Sequence, residues 1–274
     1  MSQMEIGVIV RLRDEPEPEI RKVADLNLHS CQICSWDPTV WTQTTGEKLA
    51  AALQQHGVKV SSFWAGYTGP MAWNFLEGPG TIGVVPPRYR AERVACLKKA
   101  ADCAVEWGIG SVTTHAGFIP EDPNDPLYDG TVAALKEIAL HCQNLGLEFR
   151  FETGQETPVT LLRAIERIGT DNLGINLDPA NLILYGKGNP VDALDVFGQY
   201  VRELHAKDGL YPTNGSDLGR ETPLGEGKVN FPALITGLKE RNFSGALTIE
   251  REIKEGVQQI ADIRRGIELL RSLI

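Results

Sequence analysis

Eight short strand-like segments recur along the chain, and most of them are followed by a helix-like segment. The strand-like segments are GVIVRL, LHSCQICSW, VKVSSFWAGY, SVTTHAG, LEFRFETG, LGINLDPAN, VRELHAKD and ALTIERE. Strands that alternate with helices pair in parallel, because each helix carries the chain back across the sheet. Eight such units predict an α/β protein, a (β/α)8 TIM barrel, with residues 1–274 as a single domain.

The helix-like segments support this reading. They include EKLAAALQQHG, AERVACLKKAADCAVEWG, TVAALKEIALHCQNLG and TPVTLLRAIERIG, each closing on the glycine that suits a left-handed C-cap. A doubly wound open sheet is the competing architecture. It would place a glycine-rich phosphate-binding turn after the first strand, and the segment GVIVRLRDEPEPE has none.

One long irregular segment, residues 65–90, interrupts the third connection between a strand and a helix. Loops of this length in compact domains are usually functional or disordered. Its Met71, Trp73 and Phe75 are expected either to cover a ligand over the barrel mouth or to lie in a contact between subunits. The sequence leaves both readings open, and with them a homo-oligomer.

Composition narrows the class of partner. A formal net charge of −9 opposes nucleic-acid binding, which needs a basic surface. Five cysteines, an odd number in a long chain, favour free thiols in a reducing compartment, so a cytoplasmic location is expected. The first residues lack the pattern of a signal peptide, and no apolar run reaches the roughly 18 residues of a membrane span. The sequence therefore predicts a soluble protein without membrane contact.

Polar residues interrupt four of the strands at regular intervals. Barrel strands are covered by helices outside and packed inside, so they should be almost continuously apolar. In the fifth strand, however, apolar residues alternate with Glu148, Arg150 and Glu152. Since successive side chains point to opposite faces, the polar set faces the barrel interior. The next three strands repeat the alternation near Asp178, His205 and Glu250.

Glu152, Asp178, His205 and Glu250 stand at or near the carboxyl ends of their strands, the rim where barrel enzymes assemble their active sites. A buried carboxylate without a partner costs several kcal/mol, which a bound cation removes. Three carboxylates and one imidazole form a mainly hard donor set. We therefore expect one divalent ion, Mn²⁺ first, with Mg²⁺, Co²⁺ or Zn²⁺ as alternatives.

An internal salt-bridge network is the alternative to a metal site. In that reading, Arg150 and Lys207 neutralise the acids. Arg150 lies two residues before Glu152 on the same face, so it is also expected to support that ligand from behind and keep the acids ionised.

The four motifs FETG, NLDPAN, ELHAKD and TIERE, in this order on the last four strands, resemble the xylose-isomerase-like barrel superfamily. The resemblance is to its sugar phosphate isomerase and epimerase group, which includes ketose 3-epimerases and inosose dehydratases, and it covers nearly the whole chain. It implies that Glu152, Asp178, His205 and Glu250 hold the metal.

The resemblance also implies a reaction. Glu152 and Glu250 would be the catalytic acid and base of an isomerase or epimerase acting on a sugar, keto-sugar or related polyol through a metal-stabilised enediolate. A lyase on the same barrel, similar to inosose dehydratase or a keto-glycoside lyase, is the main rival. A non-catalytic sugar-binding barrel is a further alternative.

The chain departs from the family pattern at one position. Ketose epimerases and the endonuclease IV branch carry a histidine three residues after the metal-binding aspartate, where this chain has Asn181. Asn181 is therefore expected to contact substrate in an altered way. The endonuclease reading is disfavoured twice, because its trinuclear zinc site needs more histidines than the five present and because the chain is acidic.

Five further residues are candidates for substrate binding. His115, Lys207 and Trp64 end their strands near the rim, although a structural histidine, a loop lysine and a packing aromatic are the plainer readings. Glu156 resembles a substrate-contacting glutamate of the epimerases, but its spacing differs. Arg220, with backbone amides of its glycine-rich loop, offers a weak site for an anionic group such as phosphate.

Overall fold

A closed barrel of eight parallel strands forms the centre of the molecule, as a computed structural model covering residues 4–274 describes it. Neighbouring strands follow the chain around the barrel, and the last strand pairs with the first to close it. The barrel strands are β1 (Glu5–Arg11), β2 (Ser30–Ser35), β3 (Lys59–Ala65), β4 (Ser111–His115), β5 (Glu148–Glu152), β6 (Leu173–Leu177), β7 (Val201–Ala206) and β10 (Ala246–Ile249). The TIM-barrel prediction is confirmed.

Helices connect the strands and cover the barrel from outside. They are α1 (Glu17–Asp25), α2 (Gln43–His56), α3 (Pro87–Glu106), α4 (Tyr128–Asn144), α5 (Pro158–Ile168), α6 (Pro179–Leu184), α7 (Pro190–Phe197), α8 (Phe231–Glu240) and α9 (Val257–Leu273). Within the described part of the chain, every helix is too short or too polar to cross a lipid bilayer.

Capping residues set the limits of two of these helices. The side chains of Thr42 and Thr157 accept hydrogen bonds from the backbone at the starts of α2 and α5, and so satisfy amides that lack a helical partner. Gly57 and Gly169 end the same helices with φ angles of 64° and 66°. Glycine adopts this left-handed conformation at little cost, so the predicted C-caps are confirmed.

The alternation of the strands places their apolar residues under the helices. Phe149, Phe151, Ile175 and Leu177 are completely buried in the layer between barrel and helices. The polar residues of the same strands point inward and are largely buried as well. A barrel interior so rich in charged groups requires internal partners for each of them.

Two loops meet over the carboxyl ends of the strands. The loop between β3 and α3 contains a 3₁₀ turn at Gly78–Gly80, and the loop after β7 carries a short hairpin of β8 (Asp208–Leu210) and β9 (Arg220–Thr222). The hairpin divides the segment VRELHAKD, which the sequence pattern treats as one strand.

The two loops are joined by backbone contacts. Asn74 and Asp217 form an antiparallel bridge, and the Phe75 N–H donates to the Ser216 carbonyl at 2.9 Å. Together the loops form a partial cover over the barrel mouth, hereafter the two-loop cover. Residues 66–86 and 211–219 therefore behave as one layer above the site.

Arg93 of α3 anchors the first of these loops. Its buried guanidinium donates to the carbonyl oxygens of Thr68, Pro70, Thr81 and Gly83 at 2.6–3.1 Å. These four carbonyls lie outside the helices and strands of the barrel. One side chain thus satisfies four carbonyl groups of the loop at once.

Candidate metal centre

Four strand ends bring the predicted ligand residues together. Glu152 ends β5, Asp178 follows β6, His205 lies in β7 and Glu250 follows β10. One donor atom from each of the four lies within 4.8 Å of the other three. Asp178 is also the N-cap of α6, where one of its oxygens accepts from the Asn181 N–H at 2.8 Å and the other stays directed at the cluster.

The imidazole of His205 lies at the centre of this group. Its Nδ1 is 3.3 Å from Glu152 Oε1, 3.2 Å from Glu250 Oε2 and 3.8 Å from Asp178 Oδ2. On the far side of the ring, Nε2 contacts Gln32 Oε1 at 2.8 Å. A glutamine oxygen only accepts hydrogen bonds, so the neutral ring carries its proton on Nε2 and presents the Nδ1 lone pair to the carboxylates.

Unpaired buried atoms show that the residues fit a metal ion. Both His205 Nδ1 and Asp178 Oδ2 are buried without a hydrogen-bond partner among residues 4–274. Burial disfavours the charged form of His205, yet the charges of Glu152 and Glu250 outweigh it and raise the pKa of the imidazole well above its ordinary value. The cluster therefore demands positive charge, which a divalent ion with oxygen and nitrogen ligands supplies.

Glu152 is held by three side chains. The Trp64 indole N–H donates to its Oε2, the Asn181 amide donates to its Oε1 at 3.1 Å, and His115 Nε2 lies 3.7 Å from Oε1. Burial would raise the pKa of Glu152, but the charges of His115 and His205 lower it to about 2. The carboxylate is thus ionised and fixed in direction at neutral pH.

Lys207 neutralises part of the negative charge of the cluster, on the side of Glu250. Its buried Nζ lies 3.1 Å from Glu250 Oε2 and 3.6 Å from Asp178 Oδ2, and it also contacts Glu252 Oε2. Burial would lower the pKa of Lys207, but Glu250 and Glu252 raise it well above its ordinary value. The sequence offered a metal site and a salt-bridge network as alternatives. The structure contains features of both, since the salt bridges of Lys207 lie beside a cluster of unpaired metal donors.

A pocket of about 390 Å³ opens above the cluster. One wall consists of four aromatic rings in mutual contact, Trp36, Trp64, His115 and Trp73, with neighbouring ring centroids 4.8–5.9 Å apart. Trp73 belongs to the two-loop cover. The reading of residues 65–90 as a cover over the mouth is therefore favoured by geometry, while a subunit contact stays untested.

The predicted substrate contacts divide into two groups. His115, Asn181, Lys207 and Trp64 all line the pocket, and three of them also touch Glu152. Their placement agrees with the expectation that they contact substrate, and that role stays a prediction.

Glu156 and Arg220 lie elsewhere. Glu156 is buried beside α5, Arg220 is exposed on β9, and neither is among the described residues that line the pocket. Burial raises the pKa of Glu156 to about 8, because nearby backbone amides offset only part of its lost hydration. Neither side chain is among the described residues that line the pocket, so the placement of Glu156 and Arg220 differs from the one expected for substrate contacts.

Arg150 pairs with other carboxylates than the sequence predicts. Its guanidinium pairs with Glu148 at 2.7 Å and with Glu203 at 3.0 Å, and not with Glu152. Both partners lie deeper in the barrel, away from the rim. Arg150 therefore neutralises the floor of the barrel, and Glu152 owes its low pKa to the histidines above.

Two functional features escaped the sequence argument. Gln32 sits on the inward face of β2, and the alternation that marks Glu152 also marks Gln32, although β2 carries no charged residue to draw attention to it. Glu221 and Glu252 line the pocket from the hairpin and from the loop after β10. No strand pattern marks them, because both lie in short or irregular segments.

Comparison with known proteins places the chain in a family. The family model for xylose isomerase-like TIM barrels matches residues 20–273. The solved structure of a xylose isomerase domain protein from Planctomyces limnophilus is 36% identical, with a TM-score of 0.93 and coverage of 99% of this chain and 97% of that one.

Two curated relatives match more locally. An uncharacterized protein of Methanocaldococcus jannaschii is 28% identical over 197 residues, which is 67% of this chain. A candidate L-ribulose-5-phosphate 3-epimerase of Escherichia coli is 33% identical over 96 residues, which is 33% of this chain. The chain spans 65% and 33% of the length of these two relatives.

More distant solved structures share the fold. A D-tagatose 3-epimerase-like protein is 22% identical with a TM-score of 0.75, covering 98% of this chain and 97% of that one. A barrel protein from Mycobacterium smegmatis, solved in complex with magnesium, is 18% identical with a TM-score of 0.71 and the same coverage. The closed barrel agrees with the match to the family model and with the similarity to the Planctomyces limnophilus structure. The chain therefore belongs to the xylose isomerase-like TIM barrel family.

Proposed function

We propose that this protein is a divalent-metal-dependent isomerase or epimerase that acts on a sugar, keto-sugar or related polyol by moving a proton next to a carbonyl. One observation carries the proposal. Three carboxylates and the unpaired Nδ1 of His205 converge at the floor of a pocket, within 4.8 Å of one another. That arrangement leaves room above the cluster for a small polar molecule.

The relatives support this class of reaction. The E. coli relative is a candidate ketose-phosphate 3-epimerase, and one structural neighbour is a D-tagatose 3-epimerase-like protein. A second neighbour holds magnesium. We expect Mn²⁺ in this chain, with Mg²⁺, Co²⁺ or Zn²⁺ as alternatives, because the donor set is mainly carboxylate oxygen.

Glu152 and Glu250 are the proposed acid and base. They approach His205 Nδ1 at 3.3 and 3.2 Å, so both carboxylates border the same small volume. A bound divalent ion would act as a Lewis acid that makes the proton next to a substrate carbonyl easier to remove. Glu152 is aimed at the pocket by Trp64 and Asn181, and we assign it the removal of that proton on this geometry.

The remaining residues bind and orient. Lys207 holds Glu250 at 3.1 Å and keeps it directed at the pocket. The aromatic wall offers an apolar face to the C–H side of a sugar, and the two-loop cover limits water above it.

A lyase is the second candidate, and the position of Lys207 is the observation that favours it. Expulsion of a hydroxyl or an aglycone requires a proton donor beside the leaving oxygen. The Lys207 ammonium lies in the pocket wall next to Glu250 and has the hydrogens to serve.

Deuterium incorporation tests the proposal. The metal-loaded protein is incubated in D₂O with a panel of ketoses, inososes and 3-keto-glycosides, and products are followed by NMR and mass spectrometry. Deuterium next to the carbonyl, with every oxygen retained, is the expected result. Loss of water or an aglycone would establish the lyase instead. Absence of both reactions across the panel, with one equivalent of metal bound, would overturn the proposal. Chelator-treated protein is the control.

A further inference from the structure

The charge balance of the pocket is unusual for a site that would accept a phosphorylated sugar. Among the described residues that line it, Lys207 is the one lysine or arginine. Its ammonium is already shared between Glu250, Glu252 and Asp178. A phosphate dianion needs uncompensated positive charge, and the charge of this lysine is already shared among three carboxylates.

An arginine behind the pocket wall is committed as well. Arg251 Nη1 lies 2.6 Å from Glu221 Oε1, and its Nε lies 2.9 Å from Asp262 Oδ2. Glu221 lines the pocket, whereas Arg251 supports it from behind. The surface presented to a ligand is therefore the carboxylate and not the guanidinium.

The backbone amides that the sequence offered for an anion are also occupied. Asp208 accepts hydrogen bonds from the N–H groups of Gly209, Gly225, Gly227 and Val229 at 2.8–3.0 Å. A buried internal carboxylate thus fills the amide-rich cradle of the loop after β7. This part of the loop is built around its own anion, and these four amides are not free to bind a second one.

The charges can be counted with a divalent ion in place. The carboxylates of Glu152, Asp178 and Glu250 are balanced by the ion and by Lys207, since minus three, plus two and plus one sum to zero. Glu221 is balanced by Arg251. Glu252 then remains as an uncompensated carboxylate at the pocket rim, with its side chain 62% exposed.

We infer that the pocket selects an uncharged, polyhydroxylated substrate and excludes phosphate esters. This inference rests on the proposed function and names its substrate class. Hydroxyl groups can accept from Lys207 and donate to Glu221 and Glu252, while the aromatic wall covers the C–H face of the ring. A phosphate dianion in the same space meets four carboxylates and, among the described lining residues, no lysine or arginine whose charge is uncompensated.

Matched ligands test the inference by binding alone. The protein loaded with Mg²⁺, an ion that does not quench fluorescence, is titrated with D-fructose and with D-fructose 6-phosphate while tryptophan emission is recorded. Three tryptophans in the pocket wall make emission a direct readout. We expect the phosphate ester to bind about tenfold or more weakly, and added salt to reduce the difference.

A charge reversal at the rim provides the second arm. Glu252→Lys should shift the ratio of the two dissociation constants about tenfold or more toward the phosphate ester, because the rim gains a cation. Glu255→Lys is the matched control, since Glu255 is half-exposed, pairs with Arg13 and does not line the pocket. It should leave the ratio unchanged.

Three results would overturn the inference. They are equal or tighter binding of the phosphate ester to the unaltered protein, absence of an emission change with either ligand, and a ratio that does not respond to Glu252→Lys. The reaction itself is judged separately. If deuterium exchanges into the phosphate ester faster than into the free sugar, the proposed substrate class is wrong and the proposed proton transfer stands. If the free sugar binds but no substrate exchanges deuterium, the proposed proton transfer is wrong and the proposed substrate class stands.

Discussion

Gln32 accepts a hydrogen bond from the imidazole of His205, with 2.8 Å between Gln32 Oε1 and His205 Nε2. The contact joins β2 to β7 across the barrel interior, and it decides which nitrogen of the neutral ring is free. Ligating histidines in metal sites are commonly held this way by an acceptor on the far nitrogen. The ring is therefore oriented by the fold before any ion binds.

Replacing Gln32 should weaken metal binding. Gln32→Leu removes the acceptor and should lower Mn²⁺ affinity about 10- to 100-fold, measured by calorimetric titration. Gln32→Glu keeps an acceptor at the same place and should bind at least as tightly as Gln32→Leu. Equal affinity of the leucine variant and the unaltered protein would show that the contact does not orient His205.

The two proposed proton carriers should each be indispensable. Glu152→Gln and Glu250→Gln should lower the rate of deuterium exchange by about 100-fold or more, because each removes one acid or base as well as a ligand charge. Glu148→Gln is the control, since Glu148 lies on the same strand but pairs with Arg150 at the barrel floor. Full exchange activity in either of the first two variants, at matched metal content, would rule out the assigned roles.

Glu156 should make stability depend on pH. Burial raises its pKa from 4.5 to about 8, so between these values the folded protein holds a proton that the unfolded chain has released. The contribution of Glu156 to stability is therefore greatest below pH 4.5, falls by roughly 1.4 kcal/mol per pH unit as the pH rises to 8, and levels off above. Glu156→Gln should remove this slope.

Urea denaturation at several pH values, for both proteins, measures the effect. The stability difference in favour of Glu156→Gln should grow from pH 5 to pH 8. A difference that is constant across this interval would mean that Glu156 is ionised in the folded protein.

Arg93 should control the order of the cover. Arg93→Leu leaves four carbonyl oxygens without their donor and should destabilise the protein by about 2–5 kcal/mol. Limited proteolysis should then cut within residues 66–86 before the barrel itself is attacked. Arg93→Lys keeps the charge but not the fork of donors, and should fall between. Cleavage first in the barrel helices of Arg93→Leu would contradict this.

Strand alternation predicted much of the fold and of the metal cluster. Glu152, Asp178, His205 and Glu250 are found at strand ends because the period of two and the position of the rim are local properties of a barrel strand. The alternation of a strand and the position of its end can both be recognised from a few neighbouring residues. Gln32 obeys the same rule, but one neutral amide between serines and cysteines in β2 is a weaker signal than the three charged residues of β5.

Partners distant in sequence could not be predicted. Proximity along the strand predicts a pair between Arg150 and Glu152, whereas Arg150 pairs with Glu203 from β7. Likewise, the glycine-rich loop after β7 looked available to an anion, yet Asp208 occupies its amides. Which of several acids meets an arginine depends on strand register and barrel closure, and those are properties of the assembled chain.

The bridge between Asn74 and Asp217 has a consequence for how such barrels diversify. Because the Phe75 N–H is satisfied by the carbonyl of Ser216, 141 residues further along the chain, a new loop after β3 must find its counterpart in the loop after β7. Transplanting either loop alone into a relative would leave backbone polar groups without hydrogen-bond partners where the two loops meet. The two loops are therefore expected to change together, so engineering a new specificity requires exchanging both loops in a single step.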